Sequence, residues 1–196
     1  MEFTDEGVFI DKPPSDLDRL MLEVGGILDD VGIAYSVVSG YVAVLFGRAR
    51  ATEYIDVITE RLAEETADEL ATRLQEAGYW GSAMPLDELY DTLADDLPAR
   101  VAEDGHRVPN VELKFASDEH DRISLDGAIT VRLAGETLCV GSLEFQIAYK
   151  LDMGARKDYE DALYLHEVAG PNLNRTALEE HVTKLGVEDE YERLRG

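Results

Sequence analysis

The chain has 196 residues, with 42 Asp and Glu against 18 Lys and Arg, a formal net charge of −24 and 45% hydrophobic residues. That length suits one domain of ~100–200 residues, alone or with a small appendage, and the apolar content excludes an acidic disordered tail. The longest apolar run, Tyr41 to Phe46, falls far short of the ~20 residues of a membrane span, no charged-then-apolar leader opens the sequence, and the lone Cys139 can close no internal disulfide, so a soluble cytoplasmic protein is expected.

In chain order, Pro13-Pro14-Ser15-Asp16 supplies a turn and an N-cap. It leads a helix whose apolar positions Leu17, Leu20, Met21, Val24, Ile27, Leu28 and Val31 recur at helical spacing. Gly32 is its expected stop. Ala34 to Ser39 reads as a short strand, the apolar stretch from Gly40 to Gly47 as a short helix, and Tyr54 to Thr59 as a second strand. An acid-rich helix is predicted over about 63–77. Beyond it, 86–97 reads as helix, 102–110 as loop, and Val111 to Ala116 as an alternating strand. His120, flanked by Asp118, Glu119 and Asp121, reads as part of a solvated acidic loop. Residues 128–133 and 137–140 form a hairpin or edge strands around Gly135. From Ser142 onward only helices are predicted, at about 142–153, 156–168, 174–185 and 187–195. The expected fold is α/β (α+β): a small mixed sheet with flanking helices over 1–141, and a C-terminal helical segment over 142–196 packed on it.

Acids are spread along the whole chain and Lys is scarce, 5 against 13 Arg. Uniform acidity of this kind reads as a surface adapted to high salt, because a Debye length of ~3 Å near 1 M screens the self-repulsion. A nucleic-acid mimic or a binder of basic partners is the competing reading, and a localised acidic tail would have favoured it. No basic patch suited to duplex nucleic acid is visible. The four His make no pair at metal spacing, and one Cys leaves a structural zinc site short of soft ligands. Cys139 itself reads as a buried apolar thiol rather than a nucleophile.

The block Ser39-Gly40-(YVAVLFGRARATEY)-Ile55-Asp56-Val57 carries the functional argument. A strand ends in Ser-Gly, a short helix begins, and a basic turn with Arg48, Arg50 and Thr52 leads into a strand bearing a carboxylate. Physically this is a way to hold a triphosphate: Gly lets backbone approach phosphate oxygens, and a strand carboxylate can hold Mg2+. The block resembles the nucleotidyltransferase signature of Gly-Gly or Gly-Ser, a helix, and a strand with Asp-x-Asp. Its fuller form is similar to small nucleotidyltransferase-like proteins that include abortive-infection and type IV toxin–antitoxin toxins. Gly40, Ala43, Gly47, Arg50, Thr52, Ile55 and Asp56 carry the match.

The resemblance implies an NTP as substrate or ligand, Mg2+, transfer of a nucleotidyl group to a protein or RNA hydroxyl, and a toxin or antitoxin partner protein. It also implies roles for particular residues. Ser39, Gly40, Arg50, Thr52 and Lys114 would bind the nucleotide, while Asp56 and Glu112, on the later strand VELKFA, would bind metal. Leu143 to Leu151 followed by Arg156 to Leu163 is similar to the C-terminal helical segment of the same group, which makes Lys150 and Asp158 candidate catalytic residues. The alternatives stay open: Glu112 and Lys114 also read as an exposed strand face, and Asp158 and Asp161 as members of a helix–helix salt-bridge network.

One departure matters. Tyr54 stands where the signature has its first Asp. Strand alternation puts Tyr54 and Asp56 on one face and Glu53 on the other, so Glu53 would join a metal site only if a β-bulge re-aimed it. The alternative function is therefore a catalytically degenerate nucleotide-binding or partner-binding module with the same fold.

Overall fold

The computed structural model describes residues 1–196. A short hairpin, β1 (Glu2–Thr4) and β2 (Gly7–Ile10), precedes α1 (Asp16–Val31). The N-cap expected at this turn is Ser15, and it forms a full capping box: its hydroxyl accepts from the Asp18 N–H, and the Asp18 carboxylate accepts from the Ser15 N–H. Asp18 is fully buried and also takes the Tyr41 hydroxyl at 2.8 Å and the Lys12 ammonium at 3.1 Å. Burial alone would raise its pKa; the Ser15, Tyr41 and Lys12 bonds outweigh that and hold it low. Gly32 ends the helix in the left-handed region, with φ 81°.

β3 (Tyr35–Val38) runs into α2 (Gly40–Leu45), then β4 (Tyr54–Thr59), α3 (Glu64–Glu76), β5 (Tyr79–Gly81) and α4 (Leu89–Ala94). β6 (Ala99–Glu103) and β7 (Asn110–Phe115) precede α5 (Glu119–Asp126), β8 (Ile129–Leu133) and β9 (Glu136–Val140). The helices α6 (Leu143–Met153), α7 (Arg156–Ala169), α8 (Arg175–Leu185) and α9 (Glu188–Arg195) complete the chain. All nine strands form one mixed sheet in the order β1-β2-β8-β9-β3-β4-β7-β6-β5. The mixed sheet with flanking helices agrees with the expected fold class. It is wider than expected, because β1, β2, β5 and β6 extend both edges. β8 and β9 do form a hairpin, but they lie inside the sheet, between β2 and β3.

Helices α1, α3 and α4 cover one face: α1 packs so closely on it that a Cβ on Gly25 would meet the Tyr35 hydroxyl at 2.9 Å. The opposite face carries α5 and the C-terminal helices, with α6 against α7, α8 and α5. The buried core is continuous from Val8 to Leu194 and includes Leu143, Ile147 and Leu178 of the C-terminal helices. The segment read as an acidic loop is helix α5. Its Asp118 is an exposed N-cap that accepts from the Asp121 N–H, Glu119 stays exposed, and Asp121 turns inward to meet Lys114 at 2.7 Å, so of these acids Asp121 is buried. No helix is long and apolar enough to cross a membrane.

Candidate active site

The register of β3, β4, β7 and β6 sets Val38, Asp56, Glu112 and Arg100 side by side in one row. Neighbouring strands lie ~4.8 Å apart, so the Asp56 and Glu112 carboxylates are adjacent on the face that carries α5 and α6. The next row holds Lys114 beside Ile58 and Ser36. Burial pushes the Asp56 carboxyl up, and the Glu112 charge pushes the same way; the Ser39 hydroxyl, Lys114 and Lys150 pull it back, and the net is a raised pKa. Glu112 pairs with Arg100 at 2.9 Å, and Lys114 is held by Asp121. The Arg100 and Lys114 side chains remain nearly half exposed, which makes this an open shelf rather than a closed pocket. A cleft of about 480 Å³ lies elsewhere, between α1 and the β5–β6 end of the sheet, and contains neither carboxylate.

Above the shelf, the strand-to-helix turn at Ser39 is unusual. Ser39 has φ 66° and ψ −136°, a region that costs a side-chain-bearing residue about 1–3 kcal/mol. Its N–H donates to the Gln146 Oε1 at 3.0 Å, and Gln146, on α6, is buried. Gly141 makes room for this: a Cβ there would lie 2.7 Å from the Gln146 Nε2. The backbone N–H of Ser39 is thus already taken, and what the turn offers a ligand is the Ser39 hydroxyl beside Asp56. Replacing Gln146 with Leu should leave the buried N–H unpaired at a cost of about 1–3 kcal/mol. Amide hydrogen exchange at Ser39 should then rise by more than ~5-fold, while Gln146→Glu, which keeps an acceptor, should stay near wild type.

Behind the turn lies a second charge cluster. Asp161 of α7 is completely buried and is contacted by Arg48, by Arg50 and, at 2.8 Å, by Lys150 of α6. The Arg50 guanidinium also covers Gly40, where an added Cβ would meet it at 3.1–3.2 Å. Arg48 reaches on to Glu160, and Tyr164 donates to the Phe46 carbonyl at 3.2 Å, so the whole turn after α2 is tied to α7. Lys150 is 1% exposed and lies 3.5 Å from Asp158. Burial lowers its pKa to about 8, against the pull of Asp158, with Arg50 and Lys157 adding repulsion.

No protein-family model and no curated protein sequence matches the chain. Its likeness is structural. An antigenic nucleotidyltransferase-like protein from Paracoccidioides brasiliensis superposes with TM-score 0.58 at 20% identity, over 94% of this chain and 95% of that one. The fold is nucleotidyltransferase-like. The antibiotic-resistance factor ANT(2'')-Ia gives the same answer in its solution structure, with TM-score 0.53 at 15% identity, over 92% of this chain and 97% of that one. A crystal structure of ANT(2'')-Ia in complex with adenylyl-2''-tobramycin gives TM-score 0.51 at 12% identity, over 85% and 97%.

On this nucleotidyltransferase-like fold the residues singled out by sequence divide into two groups. Ser39, Asp56, Glu112 and Lys114 meet on the shelf. Tyr54 shares their face and is 44% exposed at its rim. Arg50, Lys150 and Asp158 belong instead to the buried cluster around Asp161 and touch the shelf only through their charges. The Thr52 hydroxyl donates to the Tyr54 carbonyl at 3.0 Å, a local turn contact. Glu53 stays apart: β4 and β7 pair without interruption from Tyr54 to Thr59, and the Asn110 N–H donates to the Glu53 carbonyl just before them. No bulge re-aims Glu53, and no group of three His, Cys, Asp or Glu side chains is placed to hold a metal. Sequence reasoning missed Gln146; it named Arg48 in the basic turn and Asp161 in a helix–helix salt-bridge network, and the structure joins the two. Nothing local announced Gln146.

Proposed function

We propose that the protein transfers a nucleotidyl group from an NTP to a hydroxyl of a protein or RNA acceptor. The observation that carries this reading is the adjacency of Asp56 and Glu112 at the mouth of the Ser39–Gly40 turn, on a nucleotidyltransferase-like fold. Mg2+ fits these two residues. Their mutual repulsion, which helps to raise the Asp56 pKa, is what a divalent cation would relieve, and Mg2+ is commonly held by one or two carboxylates with substrate phosphates completing its shell. When bound there, Mg2+ would neutralise charge on the transferred phosphoryl group and its leaving oxygen. The chain's own residues do the rest. Asp56 and Glu112 would hold the cation, the Ser39 hydroxyl donates to a phosphate oxygen, and Lys114, once released from Asp121, adds a mobile cation. Arg50 and Lys150 act from behind the turn through the field they set up in a low-dielectric region. The adenylyl-bearing product seen with ANT(2'')-Ia is compatible with a hydroxyl acceptor here.

Tyr54 favours a second reading, in which the shelf binds a nucleotide without transferring it. A phenol is a poor Mg2+ ligand at neutral pH, and losing one metal carboxylate harms catalysis more than ground-state binding. One experiment separates the two: supply NTPs labelled at the α-phosphate with Mg2+ and measure both retention by the protein and incorporation into protein or RNA. Transfer is supported by Mg2+-dependent incorporation that Glu112→Gln abolishes. Retention without incorporation selects the second reading, and neither signal removes both.

A further inference from the structure

A cleft of about 400 Å³ opens on the far side of the C-terminal helices, where α7 ends and α8 and α9 meet. It is lined by His166, Leu173, Arg175, Leu178, Tyr191 and Arg195. Two guanidinium groups and an imidazole therefore converge in a chain that has only 18 Lys and Arg against 42 acids. Arg195 is positioned in advance: its guanidinium lies over the Tyr191 ring, 5.4 Å from the centroid, and the His166 ring meets the same Tyr191 edge-on at 6.1 Å. Arg175 makes no ion pair, while Arg195 has one surface partner, Glu192, at 3.2 Å. Glu179 on the rim, Glu167 beside His166, and Glu188 and Glu192 of α9 beside Arg195 are the opposing charges.

We propose that this cleft is an anion site for a phosphomonoester, gripped by Arg175 and Arg195 with His166 as a third donor. Guanidinium groups match phosphate oxygens in pairs, and a guanidinium already stacked on a ring loses less freedom on binding. The leucine floor lowers the local dielectric and strengthens each contact. The site is separate from the shelf, since none of Ser39, Asp56, Glu112 and Lys114 lines it, and on α7 His166 lies beyond the Asp158 and Asp161 that meet Lys150. Its fate does not depend on the nucleotidyl-transfer reading. Supporting the geometry, burial holds the His166 imidazole below its ordinary pKa, with Arg195 and Arg175 adding repulsion. A bound dianion would reverse that repulsion, so binding should draw a proton onto His166.

The test follows the His166 ring resonances by NMR while inorganic phosphate, or AMP, replaces chloride at constant ionic strength. A saturable shift at His166, an upward move of its titration midpoint, and at least ~10-fold weaker binding in Arg175→Gln are expected. Arg175 is exposed, so that variant should fold; Arg195→Gln provides a second. Tighter binding of AMP than of phosphate identifies the monoester, and the reverse order overturns that choice in favour of a free anion. No saturable shift, or an equal shift with acetate or in Arg175→Gln, would overturn the site.

Discussion

Asp161→Asn is expected to destabilise the protein by about 3–5 kcal/mol, the usual result of removing one partner from a buried ionic cluster. Asp161 is the only carboxylate contacted by all three of Arg48, Arg50 and Lys150, and it is fully buried. Removing its charge leaves two guanidinium groups that cannot deprotonate and one ammonium that can. For a chain of this size the loss corresponds to a fall in Tm of roughly 6–20 °C, readable by circular dichroism at fixed salt. Arg156→Ala, which breaks an exposed pair with Glu160, should cost less than ~0.5 kcal/mol and serves as the control.

The same variant carries a pH signature. Lys150 already titrates near 8 in the folded protein, below its ordinary 10.5. For a group whose folded pKa is depressed, the unfolded chain binds more protons, so stability rises with pH between the folded and the unfolded value. In wild type this gain starts only around pH 8. With Asp161 neutralised, Lys150 loses its closest partner and its folded pKa falls further. Raising the pH from 6 to 8 should therefore recover part of the lost stability in Asp161→Asn and change wild type little through this group. A flat response in the variant would mean that Lys150 keeps its proton up to pH 8 without the help of Asp161.

The second large effect concerns the shelf. Asp56→Asn should lower nucleotidyl transfer by about 10³-fold or more, equivalent to roughly 4 kcal/mol of transition-state stabilisation, with little loss of fold because Asp56 makes no ion pair. Tyr54→Asp should act in the opposite direction. Tyr54 is exposed and lies two residues from Asp56 on the same face, so a carboxylate there would complete a three-carboxylate cluster. Without metal that cluster repels itself; with Mg2+ the repulsion becomes binding energy. Calorimetric Mg2+ affinity should rise by at least ~10-fold, and transfer should rise with it if the second carboxylate limits the wild-type rate. If Tyr54→Asp leaves Mg2+ affinity unchanged, Asp56 and Glu112 are not the metal-binding pair.

Much of the fold could be read along the chain because its signals are local. Ser15 and Gly32 bracket α1 through cap chemistry, and β4 falls where the alternation of Tyr54 to Thr59 places it. The missed elements lack such signals. β1, β2 and β5 are 3–4 residues long, and the β1–β2 hairpin joins the sheet only through β8, more than a hundred residues away. α5 was hidden because its acids look solvated until Lys114, on a neighbouring strand, turns Asp121 inward.

By itself the sequence determined the mixed α/β class, the Ser39-Gly40 turn, the strand carboxylate Asp56 and the departure at Tyr54, since each depends on residue type and short spacing. Only the tertiary structure decided which charges face a ligand and which face one another. Glu112 came beside Asp56 through a parallel pairing between strands more than fifty residues apart. Arg50, read as a nucleotide ligand, and Lys150, read as a catalytic residue, were instead drawn onto Asp161, because a buried carboxylate is tolerated only where cations gather around it. The excess of acid in composition thus sets the cost that every anion site here must meet, and long-range packing sets where the few cations are placed to meet it.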